Sequence, residues 1–146
     1  MSDFRQVDAS FWASPQIGLA DVAEAQARGM TLIINNRPEG EADDQVPGAA
    51  IETAARAAGL DYLAIPVSHA GFSEAQVEAM SEALARATGP VLAYCRSGTR
   101  STLLWSLAQA KGGRAPDEIA ADAARAGYDV GPIRPLLEML AARHRS

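Results

Sequence analysis

A chain of 146 residues with 48% apolar side chains is long enough for one ordinary core and too apolar to be disordered. Its formal net charge of −5 argues against a nucleic-acid partner, and its single cysteine excludes an internal disulfide and fits a reducing compartment. Met1 to Gln6 carries no apolar h-region and no run reaches membrane-spanning length, so the expectation is one cytoplasmic domain, residues 1–146, with no membrane partner.

Phe4 to Trp12 mixes apolar with polar residues and predicts one or two short edge strands, followed by a Ser14-Pro15 turn. Leu19 to Arg28 predicts an amphipathic helix with Leu19, Val22, Ala23 and Ala27 on one side, stopped by Gly29. Thr31 to Ile34 is a continuous apolar strand suited to the middle of a sheet, and it runs into the polar loop Asn35 to Glu41. Residues 42 to 48 read as exposed chain, and Ala50 to Ala58 as an alanine-rich helix ended by Gly59. Tyr62 to Val67 reads as a strand broken by Pro66. Beyond the Ser68 to Phe72 loop, Ser73 and Gln76 form a capping box that opens a helix to Ala87.

The stretch from Pro90 to Ser101 organises the rest. Val91 to Tyr94 predicts a buried strand, Cys95 stands at its end, and an apolar-periodic helix follows from Ser101 to Ala110. After Gly112-Gly113, two further helices run from Glu118 to Ala126 and from Ile133 to Arg143 around a Gly127–Pro132 turn. Leu136, Leu137 and Leu140 share a face of the last one. Strands alternating with helices predict an α/β fold with a mainly parallel central sheet flanked by helices. Ligands in such sheets bind beyond the carboxyl ends of the strands, which gathers the loops Asn35–Glu41, Val67–Phe72 and Cys95–Arg100 in one place.

Strand, tight loop and helix N-terminus make an anion site, because the first helical N–H groups have no partner in the helix and the dipole favours negative charge. Gly98 lets the backbone curl so that the N–H groups of Arg96, Ser97, Gly98 and Thr99 point inward, and Arg100 adds a planar fork for two oxygens. The same field favours the thiolate of Cys95, and a thiolate beside an oxyanion cradle is an arrangement for covalent catalysis. The two histidines, His69 and His144, lie far apart with one cysteine between them, a spacing that suits no metal, and no cofactor is expected.

Cys95-Arg96-Ser97-Gly98-Thr99-Arg100-Ser101 resembles the active-site loops of tyrosine and dual-specificity phosphatases and of rhodanese sulfurtransferases. Ile34 to Glu41, Ala58 to Tyr62 with Ile65 to Val67, and Gly89 to Ser101 with Leu104 and Trp105 together resemble one bacterial family. That family is the phosphatase-like domain of β-lactamase-hydrolase-like proteins, and the similarity spans residues 14 to 110. The resemblance implies a dual-specificity-phosphatase-like fold and a Cys/Arg active site, with Ser101 as the hydroxyl that helps the cysteine leave.

Four residues separate Cys95 from Arg100, the rhodanese spacing, where the phosphatase pattern has five. Tyr94 stands where that pattern has histidine, and Pro66 to Gly71 lacks its acidic proton donor. Phosphate-ester cleavage with a poor leaving group depends on a proton donor by about 10² to 10⁴ in rate, whereas sulfite and thiolates depart unaided. The expectation therefore favours sulfur transfer from thiosulfate or a persulfide, through a Cys95 persulfide, to an external thiol such as glutathione. The alternatives are hydrolysis of a phosphate ester through a phosphocysteine, and an idle domain that binds an anionic partner through the same loop. Arg37 and Asn36 are candidates for binding the small anionic substrate, and Arg37 is equally suited to a structural pair with Glu39 or Glu41. His69 is a candidate substitute for the proton donor beside its reading as an exposed loop residue.

Overall fold

Val91–Tyr94 is buried at every residue, which an α/β sheet offers only to a strand covered on both faces. The computed structural model, which describes residues 2–145, places this strand, β5, at the centre of a five-stranded sheet of order β1-β2-β5-β3-β4. The other members are β1 (Arg5–Asp8), β2 (Phe11–Ser14), β3 (Leu32–Asn35) and β4 (Asp61–Ala64). β1 pairs antiparallel with β2, with a register shift between Gln6 and Asp8, and all other pairings are parallel. This is the α/β, mainly parallel, helix-flanked sheet that the alternation of elements predicts. The chain passes from β2 to β3 first, and β5 later inserts between them, so the carboxyl ends of β2, β3, β4 and β5 share one edge.

Side-chain alternation divides the core. Val91 and Ala93 face a cluster with Ala13, Ile34, Leu104 and Leu107, while Leu92 and Tyr94 face Ile17, Val22, Ile33 and Ile51. The first cluster is covered by α3 (Glu74–Arg86), α4 (Thr99–Lys111), α5 (Pro116–Arg125) and α6 (Arg134–Arg145). The second is covered by α1 (Leu19–Ala27) and α2 (Gly48–Ala57). Helix α4 is buried almost all round, with Phe11 of β2 stacked on its Trp105 at 5.6 Å between ring centroids. Its burial fixes the helix whose first turn carries the Cys95 loop. No helix of the described residues is long and apolar enough to cross a membrane.

Several elements differ from their sequence reading. β2 is an interior strand rather than an edge, paired on one side with β1 and on the other with β5, and Ser14 is its last residue instead of a turn. α1 buries Val22 and Ala25, while Ala23 and Ala27 are exposed and Leu19 is 57% exposed. Shifting the buried stripe by this much needs only a small rotation of a short helix, which alanine-rich spacing cannot specify. α2 begins at Gly48, earlier than expected, because the Glu39 carboxylate accepts the Gly48 N–H at 2.9 Å and caps the helix from the preceding loop. α4 begins at Thr99, two residues before the predicted start, and α5 begins at Pro116, with proline in the first helical turn. Regular pairing in β4 ends at Ala64, yet the Ile65 and Val67 N–H groups still donate to the Asn35 and Asn36 carbonyls. His144 sits in α6 with its ring packed against Gly113. Met1, part of the N-terminal reading, lies outside the described residues.

Candidate active site

Cys95 is buried where β5 ends, and the Gly98 N–H donates to its Sγ at 3.1 Å. That contact requires the chain to double back within three residues. Gly98 does so at φ 91°, in the left-handed region, as the residue before the first turn of α4. A Cβ there would come within 2.1 Å of the Tyr128 hydroxyl oxygen, so glycine is demanded by both backbone and space. Arg96, Ser97 and Thr99 are exposed around the loop. The Ser97 Oγ accepts the Thr99 N–H at 3.4 Å and donates to Thr99 Oγ1 at 3.0 Å. Among the described residues, no backbone or side-chain acceptor takes the N–H groups of Arg96, Ser97, Arg100 or Ser101. Four such donors in the loop and first helical turn that follow a buried cysteine form a setting for an oxyanion. The Ser101 hydroxyl is buried without a hydrogen-bond partner among the described residues.

Arg100 reaches from the first turn of α4 to the loop after β3. Its Nη1 and Nη2 donate to Glu41 Oε2 and Oε1 at 2.7 and 2.9 Å, and Nη1 also donates to the Val67 carbonyl at 2.6 Å. These three bonds consume the end of the guanidinium and leave its Nε edge, with one remaining Nη2 hydrogen, as a parallel pair. The pKa of Arg100 is raised, first by the hydrogen bond with Glu41 and further by the neighbouring Cys95 sulfur, while burial opposes the rise. Glu41 is lowered to about 2, first by Arg100 and then by Arg37, against the desolvation that would raise it. Its carboxylate is therefore ionised at neutral pH and holds no proton to give.

Arg37, only 6% exposed, donates from Nε to Glu41 Oε1 at 2.9 Å and from Nη1 to Gln16 Oε1 at 2.9 Å. Of the two roles open to it, the structure supplies the pair with Glu41. Asn36 is fully buried and ties strands together: its N–H donates to the Tyr94 carbonyl and its Nδ2 to the Ile65 carbonyl. Asn35 braces the same loop, its Oδ1 accepting the Arg37 N–H and its Nδ2 donating to the Tyr62 hydroxyl. His69 is exposed in the loop after Val67. The three predicted loops do converge, joined by Arg100 to Glu41 and to Val67. Two contributors lay outside the sequence reading. Gln16 comes from the loop after β2 and its N–H donates to the Arg96 carbonyl, and Tyr128 comes from the turn after α5. The one signal for Tyr128 was an aromatic residue inside the Gly127–Pro132 turn. No group of three or more His, Cys, Asp or Glu side chains able to hold a metal occurs among the described residues.

Fold and site together define a phosphatase-like domain built on a cysteine–arginine loop. The chain belongs to the family described as "Beta-lactamase hydrolase-like protein, phosphatase-like domain", whose sequence model matches residues 3–112. A β-lactamase hydrolase-like protein of Agrobacterium fabrum is 43% identical over 96 residues, 66% of this chain and 22% of its own length. The chain spans 22–26% of the length of the curated relatives it matches. A candidate phosphatase from Neisseria meningitidis z2491 of known crystal structure is 33% identical, with a TM-score of 0.84 over 96% of this chain and 99% of its own. The fold extends to P. aeruginosa TpbA in complex with pTyr, at a TM-score of 0.68 and 14% identity over 99% of this chain and 91% of that one.

Proposed function

We propose that the chain is a cysteine-dependent phosphatase that hydrolyses phosphate monoesters. The observation that carries this reading is the loop from Cys95 to Ser101 at the head of α4, where the Gly98 N–H already donates to the Cys95 sulfur, the N–H groups of Arg96, Ser97, Arg100 and Ser101 have no acceptor among the described residues, and Arg100 keeps its Nε edge free of Glu41 and Val67. In this reading the phosphoryl oxygens take those donors, and Cys95 attacks phosphorus. An S–P bond forms as the ester P–O bond breaks, and the alcohol leaves as its oxyanion or takes a proton from water. Water then attacks the phosphocysteine, releasing inorganic phosphate and restoring the thiolate. Ser101, whose hydroxyl is buried without a partner, is free to donate to the departing sulfur in that second step.

The family and its relatives support phosphate chemistry better than the sulfur transfer that the Cys95–Arg100 spacing and the missing acidic proton donor favoured. The four-residue gap between Cys95 and Arg100 remains the observation on the side of a persulfide. The test sets p-nitrophenyl phosphate beside thiosulfate with cyanide or glutathione. Release of phosphate by the wild type, abolished in Cys95→Ser, supports the proposal. Thiosulfate turnover without phosphatase activity overturns it, and neither activity points to a binding module.

A further inference from the structure

The Ser97–Gly98 peptide is held at both ends. Its carbonyl oxygen accepts a hydrogen bond from the Tyr128 hydroxyl at 3.2 Å, and its N–H donates to Cys95 Sγ at 3.1 Å. Every described peptide bond is trans, and a planar trans peptide points its C=O and N–H in opposite directions, so fixing one end aims the other. The aim needs fixing. Rotation of a peptide plane between two turn conformations is easiest where glycine follows it, because glycine accepts the backbone angles on both sides of the rotation. A rotated Ser97–Gly98 peptide would turn a carbonyl dipole, in place of an N–H, towards the sulfur.

We infer that Tyr128 is a positioning residue whose hydroxyl holds the Ser97–Gly98 peptide in the orientation that turns the Gly98 N–H onto Cys95. Its placement suits this role. The ring fills the space where a Cβ of residue 98 would stand, and its outer face carries the Arg5 guanidinium of β1 at 5.4 Å, itself paired with Asp3. Burial raises the pKa of Tyr128, so the hydroxyl keeps the proton it donates. Tyr128 reaches the loop from outside the matched family region of residues 3–112, and it belongs to a different layer of the protein from the cysteine it orients. Its effect on catalysis rests on the reading of Cys95 as a nucleophile; its effect on the peptide does not.

Amide spectra of the wild type, Tyr128→Phe and Cys95→Ala separate the two. Tyr128→Phe keeps the ring over Gly98 and removes only the hydroxyl, and unchanged amides in the rest of α4 report an intact fold. The Gly98 amide proton is expected to move upfield in Tyr128→Phe, towards its position in Cys95→Ala. The kcat on p-nitrophenyl phosphate is expected to fall about fivefold, the value of one ordinary hydrogen bond, with KM within twofold of wild type. An unmoved Gly98 amide overturns the inference, as does a moved amide with unchanged kcat in an active enzyme. If the wild type turns over no phosphate ester, the phosphatase reading fails and the amide alone decides the inference.

Discussion

Arg100 and Glu41 stand 59 residues apart in the chain and form a two-point ion pair, with the side chains only 12% and 18% exposed. Charges this enclosed are costly to bury singly, so each is satisfied by more than its partner: Arg100 also binds the Val67 carbonyl, and Glu41 also accepts from Arg37. The consequence for the site is geometric. The Glu41 carboxylate occupies the end of the guanidinium, and the Nε edge is the one left for a ligand. Arg37 holds Glu41 and is itself held by the Gln16 side chain, so Glu41, Arg37, Gln16 and Val67, from three loops, fix the Arg100 side chain before any substrate arrives.

Replacing Glu41 with Gln should loosen that arrangement in a pH-dependent way. The folded carboxylate titrates at about 2 against an ordinary 4.5, so its ionised form stabilises the fold above pH 4.5 and that contribution is lost as pH falls towards 2. At about 1.4 kcal/mol per pKa unit the shift sets a ceiling of about 3 kcal/mol, which residual hydration reduces. Urea titrations should therefore find Glu41→Gln less stable than wild type at pH 7, with the gap narrowing as pH falls from about 4.5 towards 2. A gap constant over that range would show that the carboxylate charge contributes nothing. The kcat/KM of the variant on p-nitrophenyl phosphate should fall about tenfold at pH 7, as expected for one charge-assisted bond to the arginine.

Arg100→Lys tests the fork itself. An ammonium keeps the charge but cannot hold Glu41 and the Val67 carbonyl while offering two parallel donors to an anion. Two charged hydrogen bonds are at stake, so kcat/KM should fall by about a hundredfold or more and inorganic phosphate should bind more weakly. Isothermal titration with phosphate checks the second part. Wild-type affinity in the variant would show that Arg100 serves the fold alone.

Gly98→Ala should damage both loop and stability. The substitution forces an alanine to φ 91° and puts a methyl group against the Tyr128 hydroxyl. The left-handed backbone alone costs about 1–2 kcal/mol. Adding Tyr128→Ala removes the steric clash and leaves the backbone cost, so the double variant should lose less than the sum of the two single losses. Thermal unfolding of the four proteins gives the coupling, and strict additivity would mean the ring does not press on residue 98.

Leaving-group dependence reports the missing proton donor. Glu41 is ionised between two arginines, and the loop from Val67 to Phe72 carries no carboxylate, while its His69 is exposed. With no acid held in place, kcat/KM across a series of aryl phosphates should drop steeply as the leaving group becomes more basic, and His69→Ala should stay within a few-fold of wild type throughout. A loss of about 10² or more in His69→Ala, growing with leaving-group pKa, would instead assign His69 the role of general acid.

The sequence by itself determined the elements whose local signals are strong. The apolar run Val91–Tyr94, the lone cysteine behind it, the glycine of the turn and the arginine in the next helix lie within ten residues, so their arrangement as strand, loop and helix start was legible without knowing any long-range contact. The capping box of Ser73 and Gln76 was legible for the same reason, as both its hydrogen bonds are local. Only the tertiary structure decided that β2 is interior, since an edge strand and a second strand share one alternating pattern until a partner is placed beside them. It alone decided that Glu41, not a substrate, takes the end of Arg100, and that Tyr128 stands against Gly98. Those relationships join residues 59 and about thirty positions apart, and no periodicity or spacing encodes which exposed-looking side chain a folded sheet edge will bring to a given arginine or glycine.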